Sequence, residues 1–150
     1  MTTPATSTTR TIDVLLATYA RSHRHPINEW IHCICVPAIV FSLLGLLWAV
    51  HPWLAAGVVL GSLGYYATLS MPFTLGMLCM SGTMLGVLGW LPPQQLVPVC
   101  AVVFILAWVG QFIGHKIEGA RPSFFEDLRY LLIGPLFVLG LAYRRFGVAY

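Results

Sequence analysis

The sequence predicts an all-α, polytopic membrane helical bundle, with four to five transmembrane segments behind a short N-terminal amphipathic helix. Three observations predict it. From Trp30 to His115 the chain carries no Asp, Glu, Lys or Arg. Its composition is 58% hydrophobic and 9% charged, with mean hydropathy +0.82, whereas soluble domains are about 25% charged. Prolines divide the apolar sequence into helix-length pieces. In hydrocarbon, backbone groups must be paired internally, which leaves helices or closed barrels as spanning solutions. Val36–Val50 and Val97–Val109 lack the apolar–polar alternation that a barrel strand needs, so helices remain.

A chain of 150 residues is read as one integral-membrane domain, with residues 1–11 disordered, residues 12–25 an interfacial helix and residues 28–147 the bundle. The first stretch is Thr/Ser-rich and has no core-forming residues. It lacks the features of a signal peptide, so the first crossing is expected to act as the insertion signal. Ile12, Leu15, Leu16 and Tyr19 then share one face at helical spacing. Pro26 interrupts the chain and biases His25 toward an extended conformation. The first crossing is expected over residues 28–50, ending at a His51-Pro52 turn. A second runs over 53–69, and Pro72 opens a third over 72–90. Pro92-Pro93 is a firm break, and the fourth crossing runs over 95–117. After a polar stretch to Arg129, a last apolar segment over 130–143 contains Gly134-Pro135. It is short for a crossing and reads equally as a fifth span or as a re-entrant helix.

Charge placement orients the bundle. Arg10, Arg21 and Arg24 precede the first crossing, and Lys116, Arg121 and Arg129 follow the fourth, while the turns at His51-Pro52 and Pro92-Pro93 carry no Lys or Arg. Four crossings return the chain to its starting side, so both basic regions are expected on the cytoplasmic face, in contact with lipid head groups. The absence of a retention tail favours a bacterial inner membrane over the endoplasmic reticulum. A net charge of +3 without a basic stripe excludes nucleic acid as an expected partner. Cys33, Cys35, Cys79 and Cys100 all fall in apolar segments. Cys33-Ile-Cys35 has one residue between its thiols rather than the two of a redox or zinc pair, and the four read as inert.

Two constellations carry the chemistry. The first is Tyr19, His23, Asn28 and His32. Asn28 and His32 are four apart and share a helix face. His23 and His32 are about two and a half turns apart and would point oppositely on one helix; the break at Pro26 lets them converge. The second is Trp108, Gln111, Gly114, His115, Glu118, Arg121 and Pro122, with Gln111, His115 and Glu118 able to line one face. Gln111 sits inside an apolar span, where an amide needs a partner or a wet cavity. The bland account stays open: interfacial histidines at a helix entrance, and Glu118 paired with Arg121 or Lys116 at the surface. Taken together, three histidines and a carboxylate at one membrane face suit a first-row metal such as Fe(II), Mn or Zn, with Glu118, Asn28 and Gln111 available to bond the ligands' other N–H groups. His51, across the membrane by the crossing count, is read as a turn residue, and His25 is ambiguous.

Those same residues, with Pro37, the Gln111-Phe112-Ile113-Gly114-His115 run, Arg121-Pro122 and Ile133-Gly134-Pro135-Leu136-Phe137, give the chain a resemblance to the Mpo1-like family over nearly its whole length. The resemblance implies an Fe(II)-dependent dioxygenase of fatty-acid α-oxidation. Such an enzyme takes a long-chain 2-hydroxy fatty acid and O2 to a fatty acid one carbon shorter, CO2 and water. It implies His23, His32 and His115 as catalytic metal ligands. Joined to that activity, Glu118 is read with them as a catalytic residue whose ligation is open, Asn28 and Gln111 as orienting ligands or substrate, and Arg121 equally as binding the substrate carboxylate or as anchoring its loop to lipid. Cys35 stands where relatives often carry Gly, and the spacing from His115 to Glu118 is one residue shorter than in relatives. Other readings are a small structural or transport protein with interfacial histidines, a zinc-dependent lipid hydrolase, and a di-iron hydroxylase. The last would use more histidines than the five present.

Overall fold

The structure, a computed structural model, describes residues 10–21, 23–119 and 130–150, and these are helical with no strand. Six helices follow in order: α1 (Thr11–Ala20), α2 (Pro26–Val50), α3 (Pro52–Leu69), α4 (Met71–Trp90), α5 (Pro93–Glu118) and α6 (Ile133–Phe146). The expected disorder of residues 1–11 falls mostly outside the described residues, as does Arg121. Three helices, α2, α4 and α5, are long and apolar enough to cross a membrane. Their outer faces leave Ile34, Leu75 and Leu106 exposed, and Trp30, Trp53 and Trp90 stand at or near helix ends. That surface suits lipid, with tryptophans placed as membrane-interface anchors.

Prolines set the helix starts. Pro26, Pro52 and Pro93 each take the first helical position of α2, α3 and α5, where the missing N–H costs nothing. The helix over residues 12–25 stops at Ala20, and α2 begins at Pro26, two residues before the expected Asn28. The stretch between them is the short linker that carries His23.

The seam between α2 and α5 organises the bundle. Gly114 lies against Asn28, Gly110 against Cys35, and Gly45 against Cys100. Residue numbers fall along α5 as they rise along α2, so the two helices are antiparallel. A Cβ at Gly110 would sit 2.6 Å from the Cys35 sulfur, and one at Gly114 or Gly45 would collide with Asn28 Oδ1 or Cys100 Sγ. In an apolar surround, small residues are what let two backbones approach this closely. Leu44, Ala55, Leu88, Leu96 and Cys100 close the end of the bundle near His51.

At the other end, α1 lies against α6. Ile12, Leu16 and Tyr19 are buried with Phe73, Leu136 and Phe137, so the apolar stripe of α1 is spent on the protein. The Tyr143 hydroxyl donates to Pro72 O at 2.7 Å and the Tyr66 hydroxyl to Leu132 O at 2.9 Å. Both ends of α6 are therefore tied to the same end of the bundle, where α3 finishes and α4 starts.

Candidate metal centre

His23 comes from the α1–α2 linker, His32 from the second turn of α2 and His115 from the last turn of α5. All three are buried, and one ligand nitrogen from each lies within 4.8 Å of the others. Ring centroids are 4.1 Å apart for His23 and His32, 5.4 Å for His23 and His115, and 5.0 Å for His32 and His115. The break before Pro26 performs the convergence: His23 folds back onto α2, and its Nε2 meets His32 Nε2 at 2.8 Å.

Hydrogen bonds determine which nitrogens carry protons. His23 Nδ1 lies 2.9 Å from Tyr19 O, and His32 Nδ1 lies 2.9 Å from Asn28 O. A carbonyl oxygen only accepts, so both Nδ1 atoms carry the hydrogen. In the neutral rings each Nε2 is then a lone pair, and two lone pairs face one another at 2.8 Å. A positive charge shared between them, a proton or a metal ion, is what such a pair accommodates. Tyr19 also stacks on His23, with centroids 4.3 Å apart and planes 10° apart, fixing the ring's plane.

Glu118 closes the arrangement from the end of α5. Its Oε1 accepts from the Arg24 N–H at 3.0 Å, and its Oε2 accepts from the His25 N–H at 2.7 Å and from Asn28 Nδ2 at 3.1 Å. The carboxylate therefore caps the entrance of α2, where unsatisfied N–H groups and the helix dipole favour an anion. Gly119, at φ 77, ends α5 directly after it in the left-handed conformation that glycine adopts freely.

A family model described as 2-hydroxy-palmitic acid dioxygenase Mpo1-like matches residues 9–146. The chain belongs to the Mpo1-like family. No curated protein and no solved structure matches it.

The donor set of this Mpo1-like chain fits a metal. Its three imidazoles come without a thiolate, a set suited to Fe, Zn, Cu or Ni. Two of them donate their outer N–H to backbone carbonyls, the arrangement that orients metal-bound histidines. Among the described residues, these three histidines are the metal-capable group of His, Cys, Asp and Glu.

The other site candidates fall as follows. Gln111 is buried, and its Oε1 accepts no hydrogen bond from the described residues; it lines a small cavity with Tyr19 and Trp108. Asn28 is fully buried and bridges His32 and Glu118. His25 is the N-cap of α2, its Nδ1 accepting from the Ile27 N–H at 3.2 Å. His51 is the N-cap of α3, accepting from the Trp53 N–H at 3.3 Å. It stands roughly 28 Å along α2 from His32 at 1.5 Å per residue. Gly114, already part of the second constellation in the sequence, leaves the space that Asn28 occupies, and the spacing Gly110-x3-Gly114 is the small-residue signature of close helix pairs. One contributor escaped the sequence reading. The Tyr19 carbonyl had no signal, since any residue there supplies one.

Proposed function

We propose that the protein is a membrane-embedded Fe(II)-dependent dioxygenase that oxidatively decarboxylates long-chain 2-hydroxy fatty acids. The overall change is R–CH(OH)–COOH + O2 → R–COOH + CO2 + H2O. The substrate supplies all the electrons, so no nicotinamide or oxoglutarate enters. The observation that carries the reading is the meeting of His23, His32 and His115 in a buried cluster, with His23 and His32 each oriented by a backbone carbonyl, in a chain of the Mpo1-like family.

His23, His32 and His115 would hold the iron, which when bound supplies the activation of O2 and the affinity for a 2-hydroxy acid. The chain's other residues orient and seclude. The carbonyls of Tyr19 and Asn28 keep Nδ1 of His23 and His32 protonated, which leaves Nε2 of each as the metal-facing donor atom. Glu118 is assigned a positioning role, since its oxygens are engaged by the Arg24 and His25 N–H groups and by Asn28. Gln111 and Asn28 orient the polar head of the substrate, and Arg121 pairs with its carboxylate, whose planar geometry suits a guanidinium. Burial of the three imidazoles keeps bulk water from the reacting atoms.

We read α2, α3, α4 and α5 as four crossings. With 14 residues, α6 is about 21 Å long, against a hydrocarbon core of about 30 Å, and its ties to Tyr66 and Pro72 favour a re-entrant helix. Arg21, Arg24, Lys116, Arg144 and Arg145 then share one face. By the positive-inside rule that face, with the histidines, is cytoplasmic.

Iron content and turnover of 2-hydroxypalmitic acid test the proposal. Purified protein is expected to hold stoichiometric iron and to release the acid one carbon shorter in an O2-dependent reaction that a chelator stops and Fe(II) restores. Protein without iron that stays inert with added Fe(II) and O2, or turnover under anaerobic conditions, would remove it.

A further inference from the structure

Between α2, α3 and α4 lies a cavity of about 420 Å³. It begins beneath Leu131, Leu132 and Pro135 and runs past Val40 and Leu44 to Val50, at the far end of α2. Its lining looks mixed in sequence and is apolar in fact. The hydroxyls of Ser62 and Ser81 donate to Val58 O and Met77 O within their own helices, and Tyr66 donates to Leu132 O. The cavity can therefore offer a ligand packing but little hydrogen bonding.

A second, small cavity of about 20 Å³ lies beside it, room for about one water-sized group. Gln111 and Tyr19 line it, and Leu131 and Pro135 are walls of both cavities. Tyr19 in turn stacks on His23. The small cavity is thus a neck-sized space between Tyr19, which touches His23, and the walls of the large apolar chamber. From Val36, in the wall of the neck, to Val50 is about 21 Å along α2, more than the roughly 15 Å depth of one leaflet's hydrocarbon.

We infer that the large cavity holds the acyl tail of the 2-hydroxy fatty acid, with its polar head beyond the Leu131–Pro135 wall at the histidines. The inference rests on the dioxygenase reading for the identity of the head group. Lipid is as apolar as the cavity, so the cavity does not gain by hydrophobicity; it selects by fit. A tail that overfills it cannot bring its head to the histidines, and chain length is read between Val40 and Val50.

The test uses the intact protein in phosphatidylcholine vesicles and 2-hydroxypalmitic acid carrying a diazirine at the end of its tail. Photolabelling is expected toward the far end of the cavity on its inward-facing walls, Leu44, Leu47 or Val59. Unlabelled 2-hydroxypalmitic acid should compete it away, and added palmitoyl phospholipid should not. Labelling confined to outward residues such as Ile34, Leu60 and Leu106, or competed equally by phospholipid, overturns the inference and makes the cavity a seam filled by bulk lipid. Labelling in the cavity without turnover supports the tail site and removes the dioxygenase reading. Turnover with labelling elsewhere does the reverse. Ser62→Phe, with Ser62→Leu as the milder change, narrows the middle of the chamber. It is expected to lower kcat/KM for 2-hydroxypalmitic acid about ten-fold or more while leaving 2-hydroxydecanoic acid within about two-fold, since a few methylenes misfitted in an apolar pocket carry that much discrimination. An unchanged length profile in either folded variant also overturns it.

Discussion

The dipeptide His-Pro opens two helices of this chain, His25-Pro26 at the entrance of α2 and His51-Pro52 at the entrance of α3. Locally they are the same device. Both histidines are extended, at φ −76, ψ 125 and φ −164, ψ 130. Both turn Nδ1 onto the N–H two residues on, at 3.2 Å and 3.3 Å, and both prolines take the first helical position. The difference is in what else arrives. At His51 the backbone N–H bonds to Leu47 of its own preceding helix. At His25 it bonds to Glu118, 93 residues away, and two positions earlier His23 meets His32 and His115. A helix entrance is written locally, whereas the candidate metal centre is made by closing the two ends of the chain on each other.

The largest effects should come from breaking that closure. His32→Ala or His115→Ala is expected to abolish iron binding and bring turnover of 2-hydroxypalmitic acid to background, while His51→Ala, roughly 28 Å along α2 from His32, leaves both within about two-fold. Metal analysis and steady-state rates on the three variants decide it; a fully active His32 variant would take that residue out of the centre.

Glu118 comes next. Glu118→Ala leaves the Arg24 and His25 N–H groups without their carboxylate and frees Asn28, whose carbonyl orients His32. The expected loss is about 10- to 100-fold in iron affinity, the usual cost of removing an outer partner of a ligand. Glu118→Gln should recover part of it, because an amide oxygen still accepts. Iron titration separates the positioning role from direct ligation: a Gln variant as defective as the Ala variant would favour ligation.

Much of the bundle was legible in advance. The charge-free run and the prolines mark α2, α3, α4 and α5 to within about two residues of the observed ends, because proline acts through local sterics alone. The histidines were legible as candidates because a titratable group in apolar sequence is costly and stands out. What packs on what was less legible. The stripe of α1 could have faced lipid or protein, and only tertiary contact with Leu136 and Phe137 commits it. The direction of α6 was open because 14 residues and a Gly134-Pro135 start are compatible with either path. Glu118 looked like a ligand or surface partner, since nothing near it in sequence announces donors from Arg24 and His25.

Two glycines carry the contrast between the ends into stability. Gly114→Ala drives a methyl into Asn28 Oδ1, and overpacking of this kind costs about 1–3 kcal/mol. Through Asn28 it should also weaken iron binding several-fold. Gly57, on α3 near His51, has nothing within 4 Å of an added Cβ. Gly57→Ala should be neutral or stabilising by up to about 1 kcal/mol, since alanine is the better helix former. Thermal unfolding with and without iron measures both; equal shifts would mean that the glycine seam does not support the centre.

The smallest effect is the sharpest comparison. His25→Ala and His51→Ala each remove one side-chain cap from a proline-started helix, a loss of about 0.5–1 kcal/mol. As caps alone, the two variants should lose the same stability and hold the same iron as the parent. The His25 side chain is half-buried, two residues from His23, so it has the opportunity to do more. The Glu118 contact is to its backbone N–H and survives the substitution, so any excess loss belongs to the imidazole itself. Iron lost from the His25 variant but kept by the His51 variant would make His25 part of the centre and end the equivalence of the two entrances.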